Sequence, residues 1–327
     1  MRLLDREGSD DPERVRAEVD ALLAEGGEAD AYVQLLDFME RHTRSQSEPL
    51  APLFAALGET LAAREGKLLR KIGYNYHFAT RRVEKSGERS WDLKSRETVL
   101  TEPRPVAAVR VANGKKPSRA WLKAVPRFEC CTLVDLTSCA SISADIIAAV
   151  APTRRLRDLS LFLTDADDAC LEQAAQIPTL ERIDLGHCPR VTGAGFAHLA
   201  RLPRLSVVEL HTSAFDEAHL AALAELPGLR QLNLAFCQQL TRQGIETITQ
   251  MPALEELWLA SCYPLRDEEF GLLATMPNLK RLNVANTHIT DAGLAQLAAA
   301  PQLKEVDVSS TVVTPRARTA FLAAVGA

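Results

Sequence analysis

Two short segments of the 327-residue chain combine the side chains that metal sites and acid–base catalysts use. Asp184 and His187 lie in the first segment, and Glu209 and His211 lie in the second, 25 residues further on. Carboxylate and imidazole groups can bind a metal ion together or exchange protons with a substrate. No nucleotide-binding glycine motif, zinc-protease motif or serine-hydrolase motif accompanies them. We therefore expect a protein that is not an enzyme and needs no metal or cofactor, with a catalytic or metal site at the Asp184–His211 cluster as an alternative.

The segments that hold these side chains belong to a repeat. The stretches LERIDLGHC, LRQLNLAFC, LEELWLASC and LKRLNVANT begin at residues 180, 229, 254 and 279, and they fit the pattern L-x-x-L-x-L-x-x-C/T. Extending the alignment gives nine units, whose first residues are Val106, Cys131, Leu156, Leu180, Leu205, Leu229, Leu254, Leu279 and Leu303. Successive starts differ by 24 or 25 residues. Positions are numbered below from the first residue of each unit. Such a period predicts a stack of small structural units.

Each unit is predicted to form a strand and then a helix. Apolar residues alternate at positions four and six, which is the period of a short strand. A residue that favours helix N-caps follows, and apolar residues then recur at helical spacing, as Ile245, Ile248 and Met251 do. A proline such as Pro252 ends the unit. One strand and one helix cannot bury their own apolar faces, so the units must stack. The predicted fold is an α/β solenoid with a parallel concave sheet and convex helices.

These recurring positions resemble the leucine-rich-repeat family over residues 106–327. The period and the recurring cysteine are similar to its cysteine-containing subtype, which is familiar from substrate-recognition subunits of ubiquitin ligases. The resemblance implies a solenoid that serves as a surface for other proteins. We therefore interpret the chain as a non-enzymatic scaffold or adaptor that binds a protein partner on its concave sheet.

The chain has seven cysteines, and their spacing favours neither a disulfide framework nor a zinc site. Four of them stand at position nine of their units: Cys139, Cys188, Cys237 and Cys262. Units with cysteine at this position have 25 residues, whereas internal units with threonine or serine there have 24. We predict that these side chains are buried, that the thiols are reduced, and that they bond loop backbone amides where the strand turns towards the helix.

Residues 1–105 lie outside the repeat and are predicted to form a helical region that caps the solenoid. The stretch DPERVRAEVDALLAEGG, the run from about Asp30 to Arg44 and a segment that begins near Ser47 all have helical character. Together they predict a small helical domain over roughly residues 10–72, and this region is a candidate site for a second partner. The segment 73–105 has no clear period, so no element is predicted there.

The segment 67–96 interleaves aromatic side chains with lysine and arginine. Aromatic rings such as Tyr74, Tyr76 and Phe78 can stack on bases, and Arg81 and Arg82 can bind phosphates. A nucleic-acid-associated module is therefore a second alternative. We favour a capping role, in which the aromatic rings seal the core of the first unit and the charges stay in water.

The strand positions that face away from the core form columns across the sheet, because side chains alternate along a strand. Position five contains Glu209, Asn233, Trp258 and Asn283, whereas position three contains Gln231, Glu256 and Arg281. We predict that Gln231 and Asn233 are exposed while Leu232 and Leu234 are buried. An exposed tryptophan at a strand centre is a typical binding hot spot. The predicted partner-binding residues are Trp258, Glu209, Asn233, Asn283, Gln231, Glu256, Arg281, His211, Phe236 and Tyr263.

Composition gives no indication of a membrane or nucleic-acid protein. The chain is 46% hydrophobic and 25% charged, with a formal net charge of −5. No run of 18 apolar residues is present, and the N-terminal stretch lacks the apolar centre of a secretory signal. We expect a cytoplasmic protein that does not bind membranes, and the sequence disfavours a nucleic-acid partner.

Overall fold

The computed structural model describes residues 12–41, 51–69, 76–83, 89–94, 106–111, 113–213 and 217–325. The chain divides into two compact bodies. The first body comprises Met1–Ala112, Pro117–Asp135 and Pro152–Leu156. The second body comprises Asn113–Lys116, Leu136–Ala151 and Arg157–Ala327. The first unit of the repeat therefore groups with the N-terminal region, although its sequence belongs to the repeat.

Three helices of the first body lie within the region that was predicted to be helical. They are α1 (Pro12–Ala24), α2 (Glu28–Arg41) and α3 (Ala51–Leu69). Val19, Leu35 and Leu61, one from each helix, are almost fully buried in a shared core. The rings of Tyr32 and Phe54 stack beside that core with centroids 4.6 Å apart. Burial of these apolar faces is what holds helices of this length together.

Strands and a short fourth helix complete the described part of the first body. They are β1 (Tyr76–Val83), β2 (Arg89–Lys94), β3 (Ala108–Val111), α4 (Arg119–Ala124) and β4 (Leu133–Asp135). Strand β1 pairs antiparallel with both β2 and β3, and β3 pairs parallel with β4. A β-hairpin thus lies within the segment 73–105, for which no element was predicted, and it covers the free edge of the first repeat strand. Exposed edges favour aggregation, so an edge cover has a physical purpose. The side chains of the segment 67–96 lie outside the described residues.

Seven parallel strands of three residues each form the sheet of the second body. They are β5 (Asp158–Ser160), β6 (Arg182–Asp184), β7 (Val207–Glu209), β8 (Gln231–Asn233), β9 (Glu256–Trp258), β10 (Arg281–Asn283) and β11 (Glu305–Asp307). Neighbouring strands pair position for position, as Asn233 does with Trp258 and Trp258 with Asn283. The columns that the repeat alignment predicted are therefore correct within this sheet.

A helix follows the strand segment of each unit in the second body. The helices are α5 (Ala144–Val150), α6 (Asp168–Ala174), α7 (Gly193–Leu199), α8 (Glu217–Ala224), α9 (Arg242–Thr249), α10 (Asp267–Leu273), α11 (Asp291–Leu297) and α12 (Pro315–Val325). Leu232 and Leu234 from the strand segment, and Ile245 and Ile248 from α9, are fully buried as predicted. The core of the second body is thus mainly aliphatic, with the rings of Phe196 and Phe270 from the helices also fully buried. Gln231 and Asn233 are half-buried rather than exposed.

The residue at position eight adopts a left-handed backbone in every described unit from the second onwards. The eight residues are Ser138, Leu163, His187, Thr212, Phe236, Ser261, Asn286 and Ser310, with φ between 52° and 63°. Their amides extend the strand pairing; for example, the amide of Phe236 donates to the carbonyl of Ala260 at 2.8 Å. A left-handed residue costs about 1–2 kcal/mol unless it is glycine. The sequence alignment did not predict this turn, because none of the residues at this position is glycine.

The cysteines at position nine are buried, and they bond backbone carbonyls as well as the predicted amides. The thiols of Cys188, Cys237 and Cys262 donate to backbone carbonyls of Leu161, Leu210 and Leu234, at 3.0, 3.3 and 3.2 Å. Burial raises the pKa of the Cys237 thiol, and hydrogen bonds from the backbone of Ser213 and Thr212, the kind of partner that was predicted, act against that shift. Each acceptor carbonyl stands at position six of the preceding unit, so the cysteine links two units.

Threonine at position nine makes a different bond. The hydroxyls of Thr164 and Thr287 donate to the carbonyls of Leu161 and Val284, both at 2.6 Å and both in the same unit. The shortest bond of the threonine hydroxyl thus stays within its own unit, although Thr164 also contacts the thiol of Cys188 in the next unit at 3.6 Å. This difference accompanies the change in unit length from 25 to 24 residues.

Aspartate at the first helical position ties successive helices of the second body together. The amide and hydroxyl of Thr290 donate to the two carboxylate oxygens of Asp267, at 2.8 and 2.5 Å. The same paired contact joins Asp168 to Thr192 and Asp291 to Thr314. Glycine follows the threonine by three residues at Gly195 and Gly293, where a Cβ atom would overlap the carboxylate of Asp168 or Asp267. These contacts hold the register of the helices.

We predict that Asp267→Ala lowers the free energy of unfolding by about 1–2 kcal/mol, because the amide and hydroxyl of Thr290 lose their charged acceptor. Urea denaturation of the variant measures this value. Asp145→Ala is the matched control, since Asp145 is an exposed acid in the first turn of α5. The control should change stability by less than about 0.5 kcal/mol. Equal effects of the two substitutions would show that helix charge, rather than the link to Thr290, is what matters.

Candidate functional site

The side chains at positions three, five and seven lie on the sheet face opposite the core in the second body. We call this set, from Asp158 to Ser309, the open face. Side chains at position five accept a hydrogen bond that the sequence analysis did not predict. The side chains of Asp184, Asn233, Asn283 and Asp307 accept hydrogen bonds from the amides of Gly186, Ala235, Ala285 and Ser309, at 2.9–3.0 Å. Each bond closes the chain after the three-residue strand. Asn233 and Asn283 therefore have a structural role, whatever else they contact.

Trp258 interrupts this series, because an indole carries no oxygen that could accept the amide at position seven. Its strand lies between those of Asn233 and Asn283, and the side chain is half-buried rather than fully exposed. A large ring thus stands at a position where four other strands of the second body carry a side chain that accepts this amide. Trp258 is a candidate for binding because its amphipathic ring occupies a position where a side chain that accepts this amide would stabilise the fold.

The charged residues predicted for the site form ion pairs within the open face, and one of their partners, Arg182, was not predicted. Arg182 contacts the carboxylate of Glu209 at 2.8 Å, and Arg281 forms an ion pair with Glu256. Glu256 is buried, whereas Arg281 is exposed. Gln231 lies beside Glu256 in the same column. The two arginines therefore have acidic neighbours within the open face.

Two aromatic residues are exposed at the loops that follow the strands. Phe236 is 54% exposed and has the left-handed φ of 63°. Tyr263 is 44% exposed, yet its hydroxyl accepts a hydrogen bond from Asn286 at 2.9 Å. Its ring also meets the ring of His288 edge to face, with centroids 6.0 Å apart. Tyr263 is therefore fixed in place while one side of it faces water.

Phe236, Trp258 and Tyr263 belong to two successive units, and we call them the aromatic patch. The amide of Phe236 bonds the carbonyl of Ala260, which is two residues from Trp258 and three from Tyr263. The structure thus brings the loop of Phe236 beside the chain segment that carries the other two rings. The left-handed backbone of Phe236 is shared by position eight of every described unit from the second onwards, so Phe236 is set apart by a large apolar ring that stays in water there.

Leu163 is an exposed apolar residue that the sequence analysis did not single out. It is 44% exposed and has a φ of 56°. Like Phe236, it stands at position eight, where the other described units from Ser138 to Ser310 have Ser, Thr, His or Asn. An apolar residue at a position that is otherwise polar was the signal that could have found both.

The predicted cluster around Asp184 and His211 comes together only in part. The ring of His211 stacks on that of Phe162 with centroids 4.7 Å apart, across Gly186, where any Cβ would touch both rings. Burial raises the pKa of the Asp184 carboxyl, and the nearby charge of Glu209 adds to that shift. His187 is exposed in the left-handed loop after the strand.

No group of three or more His, Cys, Asp or Glu side chains in the described part of the chain is arranged to hold a metal ion. Burial raises the pKa of the Cys237 thiol to about 12 and that of Cys262 to about 11, so both are protonated at neutral pH. Across the same described ranges, none of the helices has the length and apolar character to cross a membrane.

Comparisons with known proteins agree with the repeat. A family model described as Leucine Rich repeat matches residues 275–298. The match identifies the repeat but not its cysteine-containing subtype. A search of the curated proteins finds no match.

Solved structures with similar folds share little sequence with this chain. An internalin, InlF from Listeria monocytogenes, is 12% identical with a TM-score of 0.35, and the match covers 81% of this chain and 92% of that one. A structure of a complex of Rad7 and Elc1 from yeast matches at 22% identity and a TM-score of 0.49, over 64% of this chain and 57% of that one. A TLR13–ssRNA13 complex matches at 17% identity and a TM-score of 0.43, over 64% and 30%. Likeness at this level transfers no partner to the present chain.

Proposed function

We propose that this chain, which is a leucine-rich-repeat protein, binds a protein partner on the open face of its second body and anchors it on the aromatic patch. Phe236 carries the proposal, because it is a large apolar side chain, 54% exposed, at a position that is polar in most of the other described units. Trp258 and Tyr263 supply rigid aromatic surface beside it, and such rings are typical hot spots in interfaces.

The size of the sheet supports contact with the loops as well. Seven strands span about 30 Å and positions three to seven about 13 Å, which gives roughly 400 Å² of projected area. A specific interface takes about 800 Å² from each partner. A partner on the open face therefore has to extend over a neighbouring loop edge, and the loops with Phe236 and Tyr263 carry the exposed rings.

The proposal extends to the role of the whole chain. A partner on the open face and a second partner on the helical first body would make the protein an adaptor or scaffold. This role belongs in the cytoplasm, where reduced thiols such as those at position nine persist. The proposal assigns the chain no catalytic activity.

Phe236→Asn separates binding from folding. We expect the substitution to weaken partner binding by tenfold or more, because an anchoring ring is lost. The same substitution should leave the free energy of unfolding unchanged or raise it by up to about 1 kcal/mol, because asparagine tolerates a left-handed backbone. Asn286 already occupies the equivalent position. Affinity measured by titration calorimetry and stability measured by urea denaturation give the two values.

Leu163→Asn is the matched control, since Leu163 has the same position in its unit, a similar φ and a similar exposure. It should change stability in the same direction and leave affinity unaltered. If Leu163→Asn and Phe236→Asn weaken binding equally, the anchor is not the aromatic patch. If Phe236→Asn destabilises the fold without loss of affinity, Phe236 is a packing residue.

A further inference from the structure

The charges of the open face are unbalanced. It contains six carboxylates and two arginines, namely Asp158, Asp184, Glu209, Glu256, Glu305, Asp307, Arg182 and Arg281, so its formal charge is −4 with His211 neutral. Both arginines already contact acidic side chains of the same face, so they do not attract an anion from solution. A face of this charge repels phosphate groups and attracts cations.

The excess negative charge lies at the two ends of the sheet. Strands β5 to β7 carry a net charge of −2, in which Arg182 is shared between Asp158 and Glu209. Asp184 lies next to Glu209 in the same column, and burial together with this like charge raises its pKa. Asp184 is therefore a carboxylate that a nearby cation would stabilise.

The other end of the sheet repeats this arrangement. Glu256 on β9 pairs with Arg281 on β10, which leaves Glu305 and Asp307 on β11 as the excess. Glu305 is exposed, and hydrogen bonding by Ser309, with a smaller effect of the Arg318 charge on α12, lowers the pKa of the Asp307 carboxyl. The middle of the face carries no charge on β8, where Gln231 and Asn233 stand, and Trp258 follows on β9. The open face thus has a neutral aromatic centre between two negative ends.

We propose that the open face recognises a segment of a partner protein in which a bulky apolar residue is flanked on both sides by lysine or arginine. The apolar residue packs on Trp258 and Phe236, and the flanking cations reach Asp184 and Glu209 at one end and Glu305 and Asp307 at the other. This inference rests on the proposed function and adds the chemistry of the partner to it.

The spacing of the strands sets the spacing within that segment. Trp258 on β9 is two strands from Glu209 on β7 and two from Asp307 on β11, which is about 10 Å in each direction. An extended chain advances about 3.3 Å per residue. The cations therefore lie about three residues before and three residues after the apolar residue.

Selection from a phage-displayed library of random 12-residue peptides tests this inference. The full-length protein is the bait, and peptides that also bind the Trp258→Ala variant are removed. We expect the remaining peptides to carry lysine or arginine near three residues on either side of a bulky apolar residue. Peptides that depend on Trp258 but show no basic enrichment would overturn the inference and leave the proposed function standing. If no peptide depends on Trp258, both fail.

Charge removal on the face tests the same point without loss of the fold. The double variant Asp184→Asn/Asp307→Asn keeps an acceptor for the amides of Gly186 and Ser309, because Asn233 and Asn283 make the same bond. We expect the affinity for the most enriched peptide, synthesised as a probe, to fall about five- to tenfold, because two half-buried carboxylates of the face lose their charge. Raising the salt concentration should weaken binding to the wild type more than to this variant.

Asp145→Asn/Glu172→Gln is the matched control, because it removes the same charge from exposed helix positions. It should change the affinity by less than twofold. Equal losses in the two double variants would mean that net charge alone attracts the peptide, which overturns recognition by the face. Binding of fluorescein-labelled oligouridylate that depends on Trp258 would identify the face as an RNA site and would also overturn the inference.

Discussion

Replacing Cys237 by arginine is expected to lower the free energy of unfolding by about 4 kcal/mol or more. The thiol is fully buried, and it donates to the carbonyl of Leu210 between two units of the repeat. A guanidinium at this place would be a buried charge without an acidic partner, which is among the most destabilising changes a core can undergo. Urea denaturation followed by circular dichroism measures the loss.

Gln239→Arg is the control for this variant, because Gln239 is an exposed residue two positions further on. It adds the same charge in water and should change stability by less than about 0.5 kcal/mol. A Cys237→Arg variant as stable as the wild type would contradict the position of this residue in the core. Rapid labelling of Cys237 by a thiol reagent in the native protein would contradict it as well, since a buried thiol with a pKa of about 12 is unreactive at neutral pH.

Trp258→Ala is expected to weaken partner binding about 30-fold or more, which corresponds to about 2 kcal/mol for a truncated hot-spot residue. The ring is half-buried between the strands of Asn233 and Asn283, so we also expect a stability loss of about 1 kcal/mol. Affinity for the partner and the thermal midpoint should be measured on the same preparation. Binding that survives while the midpoint falls would show that Trp258 only packs against its neighbours.

The control for Trp258→Ala is Leu322→Ala on the last helix. Leu322 is another large apolar side chain and is 63% exposed, but it lies far along the chain from the aromatic patch. Its truncation should leave the affinity unchanged. A similar loss for both variants would indicate that the chain binds through general apolar contact rather than through the open face.

The repeat could be predicted from the sequence because its determinants are local. Alternation at positions four and six gives the strand, and the helical spacing of residues such as Ile245 and Ile248 gives the helix. Since every unit repeats the same pattern, errors in one unit are corrected by the others. The pairing of Asn233 with Trp258 and of Trp258 with Asn283 follows from the alignment alone.

Features that depend on contacts between units could not be predicted in this way. The thiol of Cys237 bonds a carbonyl 27 residues earlier, and the carboxylate of Asp267 receives Thr290 from the next unit. The left-handed backbone at Phe236 could not be predicted, because the residue at this position is not glycine. The hairpin of β1 and β2 has irregular sequence and is fixed by its pairing to β3 rather than by its own period.

The aromatic patch could also be predicted only in part from the sequence. Trp258, Phe236 and Tyr263 were all chosen from their residue types and their places in the repeat. The structure adds the reasons to single them out, which are the missing amide bond at Trp258, the exposed ring of Phe236 and the fixed ring of Tyr263. It also shows that Asn233 and Asn283, chosen for the same column, have a structural role.

Photo-crosslinking from position 236 tests the central claim most directly. The residue is replaced by p-benzoylphenylalanine, and the protein is irradiated in native lysate; the matched control carries the same label at position 243, which is exposed on α9. We predict a discrete protein adduct from position 236, none from position 243, and loss of the adduct when Trp258→Ala is added to the position-236 variant. An adduct from position 243 alone, or one from position 236 that Trp258→Ala does not diminish, would contradict binding on the open face.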